Sequence, residues 1–123
     1  MGRGEDKLAT QIGPRGFFGK VTVEAETIDG DGDVVVDFDP SISDEWKCGA
    51  SFGIEYVLEH VTTRTLFPKG GRVRVLSIGG HAVDTNNVVI AFVAANALYK
   101  ALGVQPTKKP EFDKIAGTFT FPK

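Results

Sequence analysis

The sequence predicts a single α+β domain in which two helices lie on one face of a mainly antiparallel four-stranded sheet, in the order ββαβα(β). Three observations predict it. Apolar and polar residues alternate at Lys20–Glu26, Val34–Phe38 and Arg72–Ile78, the period of half-buried strands. Between Asp44 and Arg64 the period changes, with Ile54, Val57, Leu58 and Val61 at i, i+3, i+4 and i+7 of a helix. After Thr85 an Ala-rich apolar segment runs to Leu102 and closes on Gly103. A chain of 123 residues, 41% of them hydrophobic, supports one core that buries roughly two thirds of the unfolded surface, and leaves no room for a second domain.

Residues 1–8 mix glycine and charge with few apolar side chains and are expected to be mobile, so the domain proper spans 9–123. From Lys20 onward, Val21, Val23 and Ala25 point to one face and Thr22, Glu24 and Glu26 to the other. Asp29-Gly30-Asp31-Gly32-Asp33 then turns the chain. A second strand sets Val34, Val36 and Phe38 inward and Val35 and Asp37 outward before Pro40, and the two strands read as a hairpin. The helix over Asp44–Arg64 is stopped by Pro68-Lys69-Gly70-Gly71, which feeds a strand with Val73 and Val75 inward and Arg72 and Arg74 outward. Those arginines suit cross-strand pairing with Glu24 and Glu26, worth about 0.2–1 kcal/mol each. Thr85 or Asn86 caps the next helix, and Gly103 tolerates the left-handed conformation that often ends one. Ala91, Ala94, Ala95, Ala97 and Ala101 permit close approach of neighbours to this helix, whose first half is apolar on nearly every side and needs cover on more than one face. Gly117–Phe121 alternates again and reads as a last, edge strand.

A net charge of −2 and a pI near 5.6 argue against a protein held on nucleic acid by overall charge; any such contact must be local. The single cysteine, Cys48, excludes an internal disulfide and, with no signal-peptide pattern, fits a reduced, cytoplasmic setting. The longest strongly apolar run, Val88–Ala95, falls far short of the roughly 20 residues that span a bilayer.

Two Gly-rich turns are the most informative features: Gly13-Pro14-Arg15-Gly16-Phe17-Phe18-Gly19 before the first alternating strand, and Gly79-Gly80-His81-Ala82-Val83-Asp84-Thr85 before the Ala-rich helix. Glu45-Trp46 and Gly53-Ile54 stand between them, eight residues apart. This set resembles domain IV of translation elongation factor G, over about Ala9 to Gly103. There a run similar to Gly-Gly-Arg-Gly-Gln-Tyr-Gly precedes the first strand, a Glu-Tyr pair leads a Gly-Ile pair by eight residues in the first helix, and a loop like His-Asp-Val-Asp-Ser precedes an Ala-rich helix. The resemblance implies a left-handed βαβ crossover, an exception to the usual handedness. It also implies that both loops form a tip that enters the decoding site of the small ribosomal subunit and contacts RNA.

Carried over, the resemblance nominates Arg15, Gly16, Phe17, His81 and Asp84 as RNA- or ribosome-binding residues. The chemistry suits that role: glycines let backbone N–H groups approach phosphates, Arg15 can hold one in bidentate fashion, and His81 can stack or bond to ribose and base edges. Three departures make the tip more apolar: Pro14 for glycine, Phe17 for glutamine and Ala82 for an acid. The competing class is a protein-interaction or oligomerisation module that keeps the fold without RNA. Phe17, Phe18 and Trp46 discriminate the two, and Phe18, adjoining the strand, is read as core.

No Gly-x-x-x-x-Gly-Lys-Ser/Thr run exists, so neither nucleotide binding nor GTP hydrolysis is expected, and a domain without that motor would bind passively, compete or serve another partner. The Gly-rich start and the extension past Gly103 read as the ends of a free-standing protein or of a cut piece. Asp29–Asp33 hints at a calcium loop, but Val34 and Pro40 stand where an EF-hand needs Gly and Glu. The nine acids from Glu24 to Glu45 occur with no Lys or Arg among them, so that end of the domain repels RNA. His60 reads as a helix-end residue and Cys48 as a small packed one. No nucleophile–base pair or metal-ligand spacing is present, so neither enzymatic activity nor a cofactor is expected.

Overall fold

Alternation makes the longest strand of the protein, β2 (Arg15–Thr27), with Phe17, Val21, Val23 and Ala25 buried on one side. The computed structural model describes residues 1–123. Around β2 are built β1 (Arg3–Ile12), β3 (Val34–Phe38), α1 (Lys47–His60), α2 (Thr63–Leu66), β4 (Gly71–Gly79), α3 (Asn87–Leu102), β5 (Glu111–Asp113) and β6 (Thr118–Thr120). The main sheet has the order β1-β2-β4-β3, antiparallel except for the β4–β3 pair, and both long helices cover one face. The α+β reading of the sequence holds.

Several elements differ from expectation, each for a local reason. The start of the chain is a strand, because Arg3–Ile12 pairs with β2 from Arg3↔Glu24 to Ile12↔Arg15. Its inward positions include Gly4, where a Cβ would collide with the Ala97 carbonyl and lie 2.5 Å from the Ala101 nitrogen, so helix packing demands the residue that hides the alternation. β2 and β3 do not form a hairpin, since β4 lies between them and β3 pairs with it in parallel, from Val34↔Gly71 to Phe38↔Val75. The intervening acidic loop closes on another segment instead of on itself: Ile28 N–H donates to Gly70 O at 3.0 Å, and Gly30 and Gly32 N–H both donate to Lys69 O. The last strand does not join the main sheet; β6 pairs only with β5, and their Phe119 and Phe112 pack on Phe17 and Phe92.

The open face of the sheet is laced with ion pairs. Arg72 lies 3.7 Å from Glu26 and 3.6 Å from Asp37, and Arg74 sits opposite Glu24 but pairs with Asp37 at 3.8 Å. Asp37 on β3 is thus a partner that the β2 acids alone did not suggest.

α1 ends at His60, whose Nδ1 lies 2.7 Å from the Tyr56 carbonyl, and the separate turn α2 carries Thr63–Leu66. Cys48 is exposed, not packed, because the adjoining Gly49 is the residue of that turn that meets α3. α3 is capped as expected: Asn86 Oδ1 accepts from Val89 N–H at 3.0 Å, and Gly103 adopts φ 68°. Beyond it the chain runs back over the helices, and the Tyr56 hydroxyl donates to the Pro122 carbonyl.

Two consequences are measurable. A Cβ at Gly53 would run into the Ala91 carbonyl of α3, so Gly53→Ala should destabilise by about 1–3 kcal/mol. That outweighs the gain of up to about 1 kcal/mol in helix propensity, and a raised midpoint in urea would contradict the close crossing. Burial raises the Tyr56 hydroxyl above its usual pKa of 10.0, and burial followed by the Tyr56 charge does the same to Tyr99. The folded state therefore holds these protons more tightly than the unfolded one, giving stability that is complete below about pH 10 and is lost as pH rises further. Unfolding midpoints measured across the alkaline range should fall less steeply for Tyr56→Phe than for wild type.

Candidate nucleic-acid interface

The first Gly-rich turn is a two-residue hairpin loop, Gly13-Pro14, between the paired residues Ile12 and Arg15. Gly13 has φ 58°, and a positive first residue followed by proline is the pattern of a type II′ turn, whose twist suits a hairpin. Proline here fixes the turn in place of a flexible glycine.

The second loop is fastened to the first through Thr85, which is 7% exposed. His81 N–H donates to Thr85 Oγ1 at 2.7 Å, and the Thr85 hydroxyl donates to the Phe18 carbonyl at 2.7 Å. Phe18 N–H in turn donates to Asp84 O at 3.0 Å. Segments 67 residues apart in sequence are thereby one tip. Gly16 completes the junction, since a Cβ there would lie 2.7 Å from the Asp84 carboxylate.

Of the nominated residues, Gly16, His81 and Asp84 meet on the open face of the sheet. His81 is exposed and lies over Phe18, with ring centroids 4.3 Å apart and planes at 35°. Lys7 approaches the Phe18 ring at 5.8 Å. Arg15 is exposed on the opposite side of the hairpin, its guanidinium 5.0 Å from the Phe17 ring. Phe17 is not an interface residue: it is 4% exposed and packs edge-on against Phe112 at 5.2 Å and Phe119 at 6.1 Å. Strand parity explains the reversal, because Phe17 shares its side with Val21, Val23 and Ala25, whereas Phe18 shares its side with Lys20 and Thr22. Phe18 is accordingly half-buried beneath His81 and not core. Sequence reasoning also missed Thr85 as the clasp and Val83, which is 93% exposed at the loop apex. The alternation that placed Val21 inward already carried the signal for Phe17.

The acidic stretch is divided by the fold. Asp29, Asp31 and Asp33 lie beyond the Thr27 end of β2, at the far end of the sheet from the tip. Asp44 and Glu45 lie nearer, in a 3₁₀ turn leading to Trp46, whose indole Nε1 would lie 3.0 Å from a Cβ at Gly80. The Lys47 ammonium, hydrogen-bonded to Asp44 at 2.7 Å, lowers that carboxyl's pKa and offsets its charge. No group of three or more His, Cys, Asp or Glu side chains is placed to hold a metal ion. No helix is long and apolar enough to cross a membrane.

No protein-family model matches the chain, and no curated protein matches its sequence. Among solved structures, a crystal structure of a protein from Thermus thermophilus shares the fold, with a TM-score of 0.64 over 83% of this chain at 20% identity. The chain spans 16% of the length of that protein. At this identity the likeness shows the fold alone.

Thr85→Val should leave the Phe18 carbonyl and the His81 N–H without their partner, costing about 1–3 kcal/mol. Amide exchange at His81 should accelerate more than at core amides such as Val75; uniform acceleration would mean that Thr85 is not a clasp between the loops.

Proposed function

We propose that the protein is an elongation factor G domain IV-like module that binds RNA of the ribosomal decoding site through its tip. One observation carries the reading: two Gly-rich loops, remote in sequence, are hydrogen-bonded into a single tip that presents His81 on Phe18 and Arg15 on Phe17. Arg15 and His81 each rest on an aromatic ring, which limits their side-chain freedom before any ligand arrives and reduces the ordering cost of binding. Arg15 supplies a guanidinium for phosphate, and the His81 ring a surface for a base or ribose. Placement of Asp29, Asp31 and Asp33 at the far end keeps their repulsion away from that contact. With no phosphate-binding loop in the chain, the module acts by occupancy and not by nucleotide hydrolysis.

Cosedimentation with small ribosomal subunits at several salt concentrations tests this. Wild type should bind in a salt-sensitive manner, Arg15→Ala should weaken binding and reduce the slope of log affinity against log salt by about one, and His81→Ala should weaken it with the slope unchanged. Absence of binding by folded wild type, or equal binding by both variants, would overturn the reading.

A further inference from the structure

The longest unpaired edge of the protein is on β1, whose inner side leads into the tip hairpin and whose outer side faces away from β2. Strand β1 pairs with β2 over ten residues without a bulge, and nothing pairs with its other side. The orientation of its backbone follows from two bonds. Gly2 O accepts from Ala25 N–H, which turns the even-numbered residues toward β2, and Glu5 O accepts from Lys100 Nζ at 3.1 Å, on the outer side. Alternation in an antiparallel ladder then directs the N–H and C=O of Lys7, Ala9 and Gln11 outward. Long free edges of this kind are templates for another strand, and proteins commonly shield them.

Here the chain leaves a groove along the edge instead. Asp6 and Leu8 of β1, Asn96 and Tyr99 of α3, and Phe112 and Lys109 of the returning C-terminal segment border a space of about 870 Å³. That is within the roughly 300–1,000 Å³ of ligand clefts, and its walls mix apolar surface with polar groups. Its charge is biased. Lys100 is taken by Asp6 at 2.8 Å, while Lys109 and Lys114 on the wall make no ion pair, against one free carboxylate at Glu111.

We propose that the β1 edge and this groove bind an extended acidic peptide segment of a partner protein, added to the sheet as a further strand. Its backbone would take up the free groups of Lys7, Ala9 and Gln11, and alternate side chains would enter the groove beside Leu8 and Phe112 or meet the lysines at its rim. Neither half of the site suffices alone: the edge selects extended backbone, and the unpaired lysines select acidic side chains.

A fluorescein-labelled heptapeptide of alternating glutamate and valine is the probe, read by fluorescence anisotropy against the same peptide with lysine for glutamate. Saturable binding of the acidic peptide and none of the lysine peptide is expected. Ala9→Pro removes an outward N–H that no protein group uses, and should weaken binding about tenfold with the melting temperature unchanged. The double variant Lys109→Glu, Lys114→Glu should also weaken it about tenfold, and bound peptide should slow amide exchange at Lys7, Ala9 and Gln11. Failure of the acidic peptide to saturate, full binding by Ala9→Pro, preference for an oligouridine RNA over the peptide, or concentration-dependent self-association abolished by Ala9→Pro would each overturn the proposal. His81→Ala, which weakens ribosome cosedimentation, should leave peptide binding intact, so the tip and the edge can fail separately.

Discussion

The architecture depends on how closely other backbone approaches α3. Eleven of its residues are buried, and glycines occupy its contacts on three sides: Gly4 on β1, Gly19 on β2 and Gly53 on α1. At Gly4 and Gly53 a single added carbon would strike the α3 backbone itself. At these points backbone packs against backbone, with the Ala residues of α3 as the complementary small surface. This proximity lets one 16-residue helix organise both ends of the domain. Its N-terminal cap, Asn86, directly follows Thr85, so the loop clasp is anchored to the most buried element, while at the other end Ala101 O accepts from Gly2 N–H and fixes the start of β1.

That arrangement also explains what could be read from sequence. β2, β4 and α3 were legible because their signals are local: alternation of valines, Asn86 before the apolar run, Gly103 after it. β1 was not, because its inward side is Gly4, Asp6, Leu8 and Thr10, a set chosen by the nearness of α3 and by Lys100 and not by hydrophobicity. The position of β3 was hidden for a different reason. Two neighbouring strands separated by a Gly–Asp turn fit a hairpin equally well, and only the bonds from Ile28, Gly30 and Gly32 to Lys69 and Gly70, far along the chain, show that the loop serves a different partner. At the site, Gly16, His81 and Asp84 were nominated together only because the two Gly-rich loops resemble a known pair of tip loops, whereas Phe17 was misplaced although strand parity assigned it to the core.

Electrostatics act on the domain by placement more than by total charge. The pairs on the open sheet face are each worth little, since the side chains of Glu26, Asp37, Arg72 and Arg74 stay partly in water. Their collective effect is to neutralise the middle of that face: Arg72 and Arg74 are matched by Glu26 and Asp37, and at the far end Asp29 pairs with Lys69 at 3.8 Å while Asp31 and Asp33 make no ion pair. A net charge of −2 thus conceals an uneven distribution, with Asp31 and Asp33 at the far end and Arg15 beside Asp84 at the tip.

The C-terminal segment connects the tip with the groove. Its β5–β6 turn is fixed by Asp113, whose carboxylate accepts from Ile115 and Ala116 N–H; those bonds lower its pKa, and Gly117 closes the turn at φ 70°. A Cβ at Gly117 would lie 3.2 Å from the Phe17 ring and 3.4 Å from the Arg15 guanidinium. The same hairpin therefore covers Phe17, making core of a residue at the edge of the tip, and supports the underside of Arg15. Phe112, on the face that covers Phe17, also borders the groove. A segment with only two short strands of its own decides which aromatic is core, where the tip arginine stands, and how wide the space beside β1 remains.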